Sequence, residues 1–163
     1  MISKNALLQK QGNKYMNTKI LIVEDDYMQT EFIVPTLRQA FRGSEIQQLN
    51  TEHEFRVAMN EIAANPPDVI VIDVMLRWTD PEPDLPPVPE DVETGGYHHA
   101  GIRCAKLLAE NERTKQIPLI LYTVLETTDI AQELRGLSGN IKLLTKESDP
   151  TSLIETVKTV LET

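Results

Sequence analysis

The feature that most constrains this chain is the run Pro67-Asp68-Val69-Ile70-Val71-Ile72-Asp73-Val74-Met75-Leu76. It follows a Pro-Pro turn, passes through four consecutive β-branched apolar residues and arrives at a carboxylate. An uninterrupted apolar run of this length reads as a strand buried on both faces, the habit of parallel sheets. Asp73 then lies where the strand leaves the sheet, at the edge where open α/β sheets gather their chemistry.

The rest of the chain supplies matching units. Lys19–Val23 is a second buried strand, running into Glu24-Asp25-Asp26. Phe32, Ile33, Leu37, Ala40 and Phe41 are spaced to share a helix face, with Pro35 expected to kink that helix or delay its start and Gly43 to close it. Glu45–Leu49 is polar enough for a sheet edge. Phe55, Ala58, Met59, Ile62 and Ala63 mark an amphipathic helix stopped by Asn65-Pro66-Pro67. Beyond Asp73, a helical pattern runs from Gly101-Ile102 through Ala105, Leu108 and Ala109, and Ile117–Thr123 is a third buried strand ending on a hydroxyl. A short helix carries Ile130, Ala131 and Leu134, and Asn140–Leu144 is a further apolar run before Thr145-Lys146. Asp149 as N-cap and Pro150 at the first helical position open the last helix, with Leu153, Ile154, Val157, Val160 and Leu161 on one face. Five strands alternating with five helices predict an α/β domain with a parallel sheet, right-handed crossovers and helices on both faces.

Composition narrows the function classes. A formal charge of −9 over 163 residues argues against nucleic acid or an anionic membrane as partner, both of which need Lys/Arg-rich surface. No apolar stretch approaches membrane-spanning length. A single cysteine, Cys104, cannot form an internal disulfide, so a cytoplasmic, reducing setting is expected, and its apolar helical context makes it a small core residue. Residues 1–17 lack the apolar core of a signal peptide and are expected to be a flexible extension. One segment stands apart: residues 78–97 hold five prolines between Pro81 and Pro89, six acids and no Lys or Arg. That composition predicts an extended loop or flap; a solvated linker is the default for such a charge run, and the sharper expectation is that it covers the Asp73 site or docks a basic partner. His98-His99 reads as exposed, since neighbouring residues seldom share a metal without a third ligand, and Trp78 as packing beneath the flap.

In a parallel sheet all carboxyl ends lie on one side, so Glu24, Asp25, Asp73, Thr123 and Lys146 can converge. Crowded carboxylates raise one another's pKa and call for a cation. Oxygen-only ligands with room for water suit Mg²⁺ better than zinc. A carboxylate beside such an ion can act as nucleophile toward a phosphoryl group, with a lysine ammonium and a hydroxyl holding its oxygens.

This set resembles the receiver domain of two-component response regulators: Ile20-Leu21-Ile22-Val23-Glu24-Asp25 on the first strand, Asp68–Asp73 with Met75-Leu76 on the third, Thr123 on the fourth and Lys146 after the fifth. The resemblance covers residues 18–163, places 78–97 as an insertion after the acceptor strand, and implies a stand-alone flavodoxin-like (βα)5 receiver with strand order 2-1-3-4-5. It implies that Asp73 is the phosphoacceptor, that a histidine kinase or phosphotransfer protein is the donor, and that Asp25, Asp73, the Met75 carbonyl and, through water, Glu24 hold Mg²⁺. Thr123 and Lys146 would bind the phosphoryl group, and output would pass by contact to an unidentified downstream protein. Self-association through the last two helices and fifth strand is left open. Such a protein is no enzyme beyond its own phosphorylation and dephosphorylation. Four positions depart from the family pattern: Arg77 in place of a proline, Val124 of a small residue, Leu143 of an aromatic residue, and Glu147 of a proline. The competing reading is a pseudo-receiver, an interaction module that works without phosphorylation. A dehalogenase-like phosphohydrolase needs an acid two residues after the nucleophile, where Met75 stands.

Overall fold

The computed structural model describes Lys4 and residues 14–137, 139–147 and 149–163. Five parallel strands form one sheet: β1 (Lys19–Val23), β2 (Glu45–Leu49), β3 (Val69–Ile72), β4 (Leu119–Thr123) and β5 (Ile141–Thr145), in the order β2-β1-β3-β4-β5. This is the expected flavodoxin-like topology. The helices are α1 (Tyr27–Ala40), α2 (Glu52–Ala64), α3 (Glu90–Gly95), α4 (Ala100–Glu110), α5 (Thr127–Glu133) and α6 (Thr151–Leu161).

Period-two alternation along the strands splits the core into two layers. Leu21, Val23, Ile70, Ile72, Leu119 and Leu121 face α2, α4 and α5, meeting Phe55, Ile62, Ile102, Leu108 and Ile130. Ile20, Ile22, Val69, Val71, Ile120 and Tyr122 face α1 and α6, meeting Ile33, Leu37, Leu153 and Val157. Every residue of β3 is buried, because β3 lies at the centre of the sheet with helices above and below. The polar strand β2 occupies an edge, as its composition predicts, and β5 occupies the other with a Thr145 end open to solvent.

The structure departs from the sequence expectations in six places, the last in the insertion. Helix α1 starts at Tyr27 and runs through Pro35, whose ring lies on the exposed side where a missing N–H can be compensated by water. Phe32, placed by spacing on the buried face, is 47% exposed; the core side is Thr30, Ile33, Val34 and Leu37. Strand β5 is shifted by one residue from Asn140–Leu144. Helix α6 begins at Thr151, and Asp149 acts one step further out, its Oδ1 accepting from the Thr151 amide at 2.9 Å and the Thr151 hydroxyl at 2.6 Å. At the amino end, the last residues of the expected 1–17 extension are packed onto the domain. Residues 1–3 and 5–13 lie outside the described residues, but Tyr15 is buried edge-on against Phe41 at 4.9 Å, and Lys14 reaches Glu162 at 2.5 Å.

The insertion is also more structured than a flap. It runs as an irregular, bent segment to Pro89, then turns into α3 and a single 3-10 turn, Tyr97–His99. Three acids in the first turn of α3, Glu90, Asp91 and Glu93, favour a helix start there, and Val92 is its buried anchor.

Candidate functional site

The carboxyl edge of the sheet is held by backbone hydrogen bonds that extend the strand ladders. Glu24 N–H donates to Leu49 O at 3.1 Å, Asp73 N–H to Val23 O at 3.0 Å and Lys146 N–H to Thr123 O at 2.8 Å. These bonds fix where each side chain starts. Glu24, Asp73 and Lys146 then meet: the Lys146 ammonium lies 2.6 Å from Glu24 Oε2 and 2.6 Å from Asp73 Oδ2. All three side chains are nearly closed to solvent, at 7% for Lys146 and Asp73 and 3% for Glu24. Burial pushes the Glu24 carboxyl above its ordinary range, with Lys146 offsetting part of that push. Burial also acts to lower the Lys146 ammonium, but Asp73 and Glu24 outweigh it and the net shift is upward. The lysine is therefore a firmly protonated cation shared by two acids.

The other oxygen of Asp73, Oδ1, accepts from the Met75 amide at 3.2 Å. Thr123, fully buried at the end of β4, accepts from Leu125 N–H through its hydroxyl at 3.3 Å. Asp26, third of the acids after β1, donates its backbone N–H to Glu24 Oε1 at 3.0 Å, while its side chain caps α1, accepting from Met28 N–H and Gln29 N–H.

Asp25 is turned toward Arg77. Its Oδ2 accepts from the Arg77 amide at 2.8 Å and from Nε at 3.3 Å, and its carbonyl accepts from Nη2 at 3.2 Å. The donor chemistry of Glu24, Asp25, Asp73 and a backbone carbonyl at Met75 fits a hard divalent cation, being oxygen throughout. In the arrangement observed, two side-chain cations pair with the three carboxylates, Lys146 with Glu24 and Asp73 and Arg77 with Asp25, leaving one net negative charge at the edge. Among the described residues no three His, Cys, Asp or Glu side chains form a metal-holding group. His99 pairs with Glu133 at 3.1 Å, and His98 packs on Tyr97 with ring centroids 4.0 Å apart.

Two features of the site have no signature in the strand-end motif. Gly101, in the first turn of α4, lies against the Asp73–Val74 peptide. A Cβ there would sit 2.4 Å from Asp73 O and 2.7 Å from Val74 Cα, and Gly101 N–H donates to Val74 O at 2.9 Å. The second is the mooring of the insertion. Glu52, fully buried at the start of α2, takes Arg103 Nε at 2.8 Å and Nη2 at 2.6 Å, and Arg56 Nη2 at 3.0 Å. Arg56 continues to Asp91 of α3 at 2.6 Å, and Arg103 Nη1 donates to Gly96 O at 2.8 Å. Trp78 packs edge-on against His53 at 5.1 Å with the Arg56 guanidinium 5.6 Å from its ring, and its indole N–H reaches Pro86 O at 3.4 Å. The insertion is thus moored to α2 and α4. Only the length and composition of the segment signalled it; partners 35 and 51 residues apart carry no sequence pattern.

Val124, next to Thr123, is 61% exposed, so its bulk stands over the edge rather than in the core. Cys104 is buried, as its context predicts, and burial raises its thiol far above the usual range. No helix among the described residues is long and apolar enough to cross a membrane.

No family model matches the sequence, and no curated protein matches it either. Solved structures do. A signal receiver domain of a histidine kinase from Syntrophus aciditrophicus is 25% identical, with 89% of this chain and 90% of that one covered at a TM-score of 0.62. The signal receiver domain of a DNA-binding response regulator from Colwellia psychrerythraea is 20% identical over 90% of this chain and 100% of that one, at 0.66. A phosphorylated cyanobacterial phytochrome response regulator is 21% identical over 90% and 92%, at 0.62. Together with the strand order and the residues gathered at its carboxyl edge, these likenesses make the fold of this chain that of a response regulator receiver domain.

Proposed function

We propose that this chain is a phosphoacceptor receiver in two-component signalling, taking a phosphoryl group on Asp73 from a histidine kinase or phosphotransfer protein. The observation that carries the reading is Asp73 at the end of the central strand, buried, with the Lys146 ammonium 2.6 Å from one carboxylate oxygen and Thr123 at the end of the adjacent strand. An Asp73 oxygen forms a bond to phosphorus as the donor's P–N bond breaks; the bonding pair leaves on the imidazole nitrogen, which then takes up a proton. Lys146 neutralises charge on the transferred oxygens, and the Thr123 hydroxyl, already fixed by Leu125 N–H, donates to one of them. Mg²⁺ held by Glu24, Asp25, Asp73 and the Met75 carbonyl would supply charge neutralisation between incoming phosphoryl group and acceptor. A solved relative being a phosphorylated response regulator supports the same reading.

Signal output is a shift between two conformations. Once Asp73 carries the phosphoryl group as an acyl phosphate, Lys146 must give up its ion pair with that carboxylate and rebalance between Glu24 and the phosphoryl group, which biases the β5 edge. The setting is cytosolic, with Cys104 kept reduced and enclosed. A phosphorylation-independent interaction module is the second reading, favoured by Arg77 occupying Asp25.

Incubation with Mg²⁺ and acetyl phosphate, followed by intact mass measurement, separates the two. One phosphoryl adduct on wild type and none on Asp73→Asn is expected. Wild type remaining unmodified, both with acetyl phosphate and with a cognate kinase, would overturn the phosphoacceptor reading.

A further inference from the structure

Asp25 Oδ2 is sought by two kinds of cation. A divalent ion at the acid pair would take the Asp25 carboxylate as a ligand, and a guanidinium on Oδ2 bars bidentate binding and sets a like charge beside the ion. Arg77 already holds Oδ2 with a backbone amide at 2.8 Å and Nε at 3.3 Å, and grips the Asp25 carbonyl through Nη2 at 3.2 Å. A guanidinium is permanently charged and weakly hydrated, so neither pH nor water readily removes it.

The backbone places Arg77 there and keeps it there. Its carbonyl accepts from Glu52 N–H at 3.1 Å, and the Trp78 carbonyl accepts from His53 N–H at 3.0 Å, so the strand end is stitched to the first turn of α2. Trp78 is then fastened by His53 and Arg56. The main chain at residue 77 cannot swing away, and any exchange must be made by the side chain. A second acceptor is waiting: Asp80 Oδ1 lies 3.4 Å from Nη1, in the first turn of the insertion.

We propose that Arg77 is a built-in competitor of the divalent cation for Asp25, setting the ion affinity of the acceptor site and passing to Asp80 when the ion binds. The inference rests on the acid pair being a cation site, and it adds a residue that tunes that site. It gives the insertion a role at the acceptor edge, because the residue that receives the displaced guanidinium belongs to the insertion. A bland surface ion pair would be worth little, since the Arg77 side chain is 47% exposed; the backbone amide on the same oxygen and the 21% exposure of Asp25 set this pair apart.

The test is calorimetric titration of Mg²⁺ into the full chain, with no phosphodonor present. Arg77→Ala should bind Mg²⁺ more tightly, by about three- to tenfold, through loss of the competing pair and of a like charge beside the ion. Asp80→Asn, which removes the alternative partner, should bind it about twofold more weakly. Opposite signs are the diagnostic, since a general loss of structure would weaken both. Equal affinity for wild type and Arg77→Ala, or weaker binding by Arg77→Ala, would overturn the proposal; so would absence of binding by all three. The acetyl phosphate assay is independent. An Asp73 adduct alongside unchanged Mg²⁺ affinity in Arg77→Ala removes the Arg77 proposal and leaves the receiver reading intact. Tighter Mg²⁺ binding with no adduct on wild type does the reverse.

Discussion

Replacing Arg103 by Met tests how the insertion is held to the domain. Glu52 is fully buried and receives two hydrogen bonds from Arg103, at 2.8 and 2.6 Å, and two from Arg56, at 3.3 and 3.0 Å. Methionine fills similar volume but offers no donor, leaving one buried carboxylate with half its partners. Stranding a buried charge outright costs about 3–5 kcal/mol; with Arg56 still attached, the expected loss is about 2–4 kcal/mol. For a chain of this size that corresponds to a fall in Tm of roughly 6–12 °C. Urea unfolding followed by far-UV circular dichroism measures it directly, with the slope of the transition reporting whether the denatured state has also changed. Two companions sharpen the result. Asp91→Asn removes an acid that is 53% exposed and should cost no more than about 1 kcal/mol. Glu52→Met combined with Arg103→Met removes the buried pair together and should recover most of the single-variant loss. A loss below about 1 kcal/mol in Arg103→Met, or a double variant no better than the single, would refute the view that a buried charge network fastens this face.

Further expectations follow from the same geometry. Gly101→Ala forces a Cβ to within 2.4 Å of the Asp73 carbonyl, so it should slow phosphorylation by acetyl phosphate at least tenfold and destabilise the fold by about 1–3 kcal/mol; unchanged kinetics would show that the acceptor peptide moves aside freely. Lys146 is raised above its ordinary value of 10.5, so its stabilising contribution is complete below that pH and is lost as pH rises through the higher folded value. Urea midpoints should therefore fall more steeply above pH 10.5 in wild type than in Lys146→Met, and parallel curves would contradict the shared-cation geometry. Truncating Val92 to Ala, which uncovers the apolar anchor of α3, should cost about 1–2 kcal/mol and increase hydrogen exchange across Glu90–Gly95 without altering exchange in β3.

The parts of this molecule that the sequence announces are those governed by local pattern. Val69–Ile72 and Leu119–Thr123 are dense in β-branched and apolar residues because both faces are covered, and such runs leave no ambiguity about burial. Thr123 and Lys146 could be placed because a parallel sheet puts each strand's exit on one edge. Spacing misassigns Phe32 for a physical reason: the apolar residues from Phe32 to Phe41 fit more than one helical stripe, and the sheet takes the stripe of Ile33 and Leu37. Helix α3 was hidden by the prolines that precede it. The Glu52–Arg103 pair and the grip of Arg77 on Asp25 were illegible because each joins residues more than fifty positions apart through the meeting of three separate elements.

The base of the insertion is closed by two backbone hydrogen bonds, Leu76 N–H to Tyr97 O at 3.2 Å and Gly101 N–H to Val74 O at 2.9 Å. Departure and return are therefore neighbours, and the segment between them is a side branch whose length the sheet never registers. This makes the position a natural splice port. A peptide whose ends meet across those amide–carbonyl pairs can be seated there, beside Asp73, without changing the order of the strands.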